Sequence, residues 1–225
     1  MLCGVRTNSL KPLSNYAMQC SQMFIPTIGN YIIESLLNKN IEVAFGYNKL
    51  GPYTPIYEYA NNHDNFNIVF EKYEKNSVLS ALKYNINTNN MGVIVSASTI
   101  GFGNIITPIG IAKLKRCPLL LLSFFESAQE LKVSSFPPDT KHYIKESITL
   151  KTSKNFIPNM ESLISYGYEF PAGPVHLNIS NSILNDPIDM VIKKQPVQPN
   201  VSFSRQLCNM YMENDKKNKE LLNKK

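Results

Sequence analysis

The sequence predicts an α/β fold, a doubly wound and mostly parallel sheet flanked by helices. Three observations predict it. Short apolar runs alternate with segments of helical periodicity along most of the chain. One run, "CPLLLLS" at 117–123, is continuously apolar, as a strand covered by helices on both faces should be. The third is "GVIVSASTIGFGN" at 92–104. It reads as a buried strand (Val93, Ile94, Val95), a turn of small residues from Ser96 to Thr99, and a helix start near Gly101. α/β proteins place anions and cofactors at such a strand, turn and helix N-terminus.

The elements follow in order. Residues 1–24 show no clear period and read as an irregular arm. From Thr27 to Asn38, Ile28, Tyr31, Ile32, Ser35 and Leu36 recur at helical spacing, with Thr27 as a cap. "IEVAFG" (41–46) is a strand ending in a glycine turn, "TPIYEYANN" (54–62) a helix and "FNIVF" (66–70) a strand. "EKNSVLSALKYNINT" (74–88) is an amphipathic helix with Val78, Ala81 and Leu82 inward. "MGVIVSA" (91–97) is a strand, and "GNIITPIGIAKLK" (103–115) a helix interrupted by Pro108. After the strand at 117–123 come a helix, "ESLISYGYEF" (161–170), and a last strand, "GPVHLNIS" (173–180). Residues 186–225 read as an extended segment punctuated by Pro187, Pro196 and Pro199, then a charged C-terminal helix or tail.

The bulk numbers narrow the function. The chain has 225 residues, 43% hydrophobic and 18% charged, which suits a globular domain and argues against wholesale disorder. No apolar run approaches the roughly 20 residues of a membrane span, and the N-terminus shows no cleavage site of a signal peptide. Cys3, Cys20, Cys117 and Cys208 are scattered, which is neither a disulfide framework nor a zinc pattern. The expected location is therefore intracellular and cytoplasmic. The net charge of +6 admits nucleic acid as a partner, but no recognised motif accompanies it, and Lys enrichment also follows from the Asn-, Lys- and Ile-rich composition. His63 and His142 lack companions at ligand spacing and read as surface residues, and His176 as a structural residue of the last strand. No metal site is expected.

Five motifs, in order, carry a resemblance. "FGYNKLGPYTPIYEYA" (45–60), "YEKNSVLSALKYN" (73–85), "GVIVSASTIGFGN" (92–104), "CPLLLLSF" (117–124) and "FPAGPVHLNIS" (170–180) resemble the N-terminal, pyrimidine-binding domain of thiamine-diphosphate-dependent enzymes of the acetolactate synthase type. The resemblance covers about residues 25–185 and implies a single domain of that kind. It places Glu74 at the position of the carboxylate that bonds N1′ of the cofactor's aminopyrimidine and relays a proton. It places Ser98, Thr99, Gly101 and Asn104 in the cofactor turn.

The sequence also departs from the pattern. Tyr73 stands where the family has His, and Thr99-Ile100 where it has Gly-Pro, a β-branched pair in a turn that favours glycine. Pro137 replaces a Gln, and Phe124, the last residue of the fourth motif, stands where the family has a glycine and is expected to fill space that a ligand would use. No "GDG" motif of a diphosphate-binding domain is present. The leading expectation is a stand-alone, catalytically inactive domain kept as a structural or interaction module. The alternatives are the pyrimidine subunit of a split thiamine-diphosphate-dependent synthase or 2-oxo acid decarboxylase, and a basic scaffold binding nucleic acid. No cofactor is expected on the isolated chain; thiamine diphosphate and magnesium are expected only with a partner chain. In the family another domain covers the helices equivalent to 74–88 and 101–115. Ile105, Ile106, Ile109 and Leu114 are therefore expected on an exposed face that packs in a homodimer or against a separate diphosphate-domain chain.

Overall fold

The computed structural model describes residues 26–47, 54–97, 102–127 and 142–188. Residues 1–25, 48–53, 98–101, 128–141 and 189–225 lie outside them, and with them Ser98, Thr99, Gly101 and Pro137.

Local chemistry sets the elements. The Thr27 hydroxyl accepts from the backbone N–H of Asn30 at 3.4 Å and from its Nδ2 at 3.1 Å, capping α1 (Ile28–Asn38). Asn40, at φ 58°, turns the chain into β1 (Val43–Tyr47). Then follow α2 (Thr54–Asn61), β2 (Asn67–Glu71) and α3 (Glu74–Thr88), which ends on Asn89 in the left-handed region at φ 60°. β3 (Gly92–Ala97), a 3₁₀ turn at Phe102–Asn104, α4 (Ile106–Leu114) and β4 (Leu119–Phe125) come next. The described part closes with β5 (Glu146–Leu150), α5 (Phe156–Tyr168) and β6 (Val175–Ser180).

The six strands form one sheet in the order β2-β1-β3-β4-β6-β5, and every pairing is parallel. Alternation along each strand divides the core in two. Val93, Val95, Leu120, Leu122, Leu177 and Phe124 face α1, α2 and α5. Val43, Phe45, Ile94, Leu119 and Leu121 face α3 and α4. All seven residues of β4 are buried, as its unbroken apolar run requires.

Several expectations change. Pro108 does not interrupt α4. It is the third helical residue, where its missing N–H has no intrahelical acceptor to lose. The last helix starts at Phe156 rather than 161 for the same reason, because Pro158 also falls in a first turn. β5 escapes the sequence reading because it is an edge strand with only Leu150 buried. Ile105 and Ile109 do not sit on an exposed face. They are 2% and 1% exposed, packed in the core between α3, α4 and the sheet. The exposed side of α4 instead carries Leu114 and Ile111, with Ile106 half-buried. Phe124 is fully buried in the core beneath α1, α2 and α5, so it fills core space rather than a ligand's. Val78, Ala81 and Leu82 point inward as the helical pattern predicts.

Candidate functional site

The strand order reverses at β1. The chain passes from β1 to β2 on one side and returns to β3 on the other. Open parallel sheets bind ligands in the crevice beyond the C-terminal strand ends at such a switch point. A cavity of about 260 Å³ lies there, lined by Tyr47, Tyr73, Glu74, Lys75 and Asn104. Tyr47 is the last residue of β1, Glu74 the first of α3, and Asn104 the last of the 3₁₀ turn after β3.

Serines on α3 fix its placement against the strands. Ser77 Oγ donates to the carbonyl of Gly46 at 2.9 Å, and Ser80 Oγ to Glu71 Oε1 at 2.6 Å. α3 is thereby tied to the ends of β1 and β2, and its first residue is held at the mouth of the crevice. One turn further along the helix, Gly92 allows β3 to pass close: a Cβ there would stand 2.4 Å from the carbonyl oxygen of Ala81.

Glu74 is buried, 6% exposed. Its Oε2 accepts from Asn104 Nδ2 at 3.3 Å, and its Oε1 is buried with no hydrogen-bond partner among the described residues. Burial pushes its pKa above the usual carboxylate value, and the Asn104 hydrogen bond offsets part of that rise. A carboxylate in the first turn of a helix is favoured by the helix dipole, which by itself accounts for an acidic residue here. It does not account for a bare buried oxygen, whose desolvation costs about 1–3 kcal/mol when no donor replaces water. Tyr73 caps α3 without a side-chain bond, is 51% exposed, and has the Lys72 ammonium 5.6 Å from its ring centroid. Lys75 is exposed and is the cation among the lining residues.

Of the residues expected at a site, the structure brings Glu74 and Asn104 together. Sequence reasoning missed Tyr47 and Lys75 as lining residues, although both lie inside quoted motifs, and it missed the serine ties of α3. A second, more apolar groove of about 470 Å³ runs along α4, lined by Ile106, Thr107, Gly110, Ile111, Lys113, Leu114, His142 and Tyr143.

His176 is fully buried in a polar ladder that crosses three strands. Ser123 Oγ donates to Asn178 Oδ1 at 2.8 Å and lies 2.7 Å from His176 Nε2, while Ser147 Oγ lies 2.8 Å from His176 Nδ1. With its one proton given to Asn178, Ser123 accepts from Nε2–H, so Nδ1 is left to accept from Ser147. Burial depresses the imidazole pKa to about 3. Among the described residues no group of three or more His, Cys, Asp or Glu is placed to hold a metal ion. No helix among them is long and apolar enough to cross a membrane. Cys117 is a buried free thiol, its pKa pushed up by burial.

Three comparisons bear on this geometry. The family described as "Thiamine pyrophosphate enzyme, N-terminal TPP binding domain" matches residues 26–151. The mitochondrial acetolactate synthase catalytic subunit of Saccharomyces cerevisiae is 28% identical over 101 residues, 44% of this chain and 15% of that protein. A Mycobacterium smegmatis protein described as a thiamin diphosphate-dependent enzyme superposes with a TM-score of 0.63 at 16% identity, covering 73% of this chain and 32% of that one. The chain thus spans only a minor part of the length of the relatives it matches.

Proposed function

From the premise that the chain belongs to the thiamine pyrophosphate enzymes, as their N-terminal TPP-binding domain, we propose that it supplies the pyrimidine half of a thiamine diphosphate site that a second chain or domain completes. The observation that carries this reading is the buried Oε1 of Glu74, which has no partner among the described residues, on a side chain that lines the switch-point cavity. A degenerate pocket has no use for an unpaired buried acceptor, whereas an aminopyrimidine ring nitrogen would take a proton from such a carboxyl and, once protonated, offer its N–H to the oxygen. The residues present therefore fit the pyrimidine portion of the cofactor. When bound, the cofactor supplies the carbon chemistry, here that of a 2-oxo acid synthase or decarboxylase, the class to which the acetolactate synthase relative belongs.

The chain's own residues do the following. Glu74 would share a proton with the pyrimidine ring nitrogen and, with its pKa raised by burial, holds and releases that proton nearer neutrality than an ordinary carboxylate. Asn104 holds the other oxygen. Tyr47 and Tyr73 wall the cavity. The diphosphate and magnesium fall to the completing chain. Its contact on this side is proposed to include the apolar surface of α4 around Ile106, Ile111 and Leu114.

The test has two arms. Titration calorimetry of the isolated chain with thiamine diphosphate and magnesium should give a dissociation constant weaker than about 100 μM, roughly 5.5 kcal/mol of binding. The complex purified from native extract should turn over a 2-oxo acid, and Glu74→Gln should abolish that turnover. Equal turnover by wild type and E74Q complexes would leave only a structural module.

A further inference from the structure

Asn104 is an exposed residue that ends the 3₁₀ turn between β3 and α4, yet its side chain reaches the buried carboxylate of α3. We infer that Asn104 is a positioning residue: its Nδ2 holds Oε2 of Glu74 and so fixes the carboxylate with Oε1 as its buried oxygen without a partner among the described residues. The inference rests on the half-site reading only for the use of that oxygen; the pairing itself stands on geometry.

The chemistry favours an amide at this position over a charged side chain. An ionised carboxylate only accepts, so the amide presents its NH₂. A protonated carboxyl also donates, and the same amide, turned over, presents Oδ1 to receive that bond. Asn104 can therefore partner Glu74 in both proton states. Lys would hold only the ionised form. Asp would set two carboxylates together, which then share one proton. The other groups facing Glu74 are Tyr47 from the end of β1, and Tyr73 and Lys75 beside it on α3. Lys75 is exposed, where water and salt screen its charge. The side-chain bond that lowers the Glu74 pKa is the one from Asn104.

The test is a titration of the full chain, following the side-chain carboxyl carbons of ¹³C-labelled glutamate by NMR, with the Glu74 signal identified by its loss in E74Q. Asn104→Ala should raise the Glu74 midpoint by at least about 0.5 pH unit, because the ionised form loses a charge-assisted donor. Asn104→Asp should raise it further. Should N104A fail to fold, N104S and N104D carry the same comparison. Midpoints unmoved in these variants would overturn the inference, and so would a lowered melting temperature with no change in titration, the mark of a merely structural turn residue. The titration needs no cofactor. Its failure leaves the half-site reading standing, and an active E74Q complex would sink that reading without touching the titration.

Discussion

His176 links one side chain to the stability of the whole domain. Its ring is fully buried between two serine hydroxyls, and burial holds its pKa near 3, below the ordinary 6.5. The unfolded chain therefore takes up a proton at this residue below pH 6.5 while the folded chain does not. Stability is full above about 6.5 and falls as pH drops toward 3, by at most about 1.4 kcal/mol per pH unit. Glu74 works in the opposite sense: its raised pKa makes the folded state bind its proton first, which stabilises the fold as pH falls toward the ordinary carboxylate value. The two are separated by substitution. Urea unfolding at pH 7, 6 and 5 should show wild type weakening across that range and His176→Gln weakening distinctly less. Parallel slopes would mean that the imidazole is solvated or titrates normally.

At the scale of elements, the contact between α3 and β3 decides where Glu74 sits. Gly92 lets the two backbones meet, and a Cβ there would also stand 2.7 Å from Leu119 Cδ2. The obstructing atom on the helix is backbone, which cannot rotate away. Gly92→Ala should therefore cost about 2–3 kcal/mol, the range of overpacked core sites, read from the urea midpoint. A change within about 0.5 kcal/mol, typical of an open surface position, would show that α3 is free to lift from the sheet. The helices also show what sequence periodicity leaves open. Pro108 and Pro158 look like breaks in a linear reading, but a proline in the first helical turn removes an N–H that had no partner. The start of each helix depends on where the chain enters it, and that entry is set by the preceding strand. β5, with charged Lys145 and Lys151 at its flanks and little apolar face, becomes a strand because β6 offers it a free edge.

For the whole molecule, the unanswered contact is the outer surface of α4. Leu114 is 86% exposed and Ile111 37%, beside the apolar groove that reaches Tyr143. A second copy, or a diphosphate-binding chain, is expected to cover this surface. Light scattering at tens of micromolar should give a mass above the 25.5 kDa chain, and Leu114→Lys should return it to that value without lowering the melting temperature. A clean monomer for the wild type would remove the homodimer. The residues that carry this contact could not be read linearly. α4 is apolar nearly all round, so its sequence does not say which isoleucines face the sheet, and Ile105 and Ile109 turned out to be the buried ones. By itself the sequence determined the alternation of strands and helices, the buried central strand and the position of Glu74, because periodicity, apolar runs and motif spacing are properties of the chain in one dimension. The tertiary structure alone decided that Phe124 belongs to the core, that Ser123, Ser147 and Asn178 from three strands gather around His176, and that Glu74 keeps one oxygen bare. Each of these depends on which neighbours arrive from distant strands, and desolvation and hydrogen-bond satisfaction exist only once those neighbours are in place.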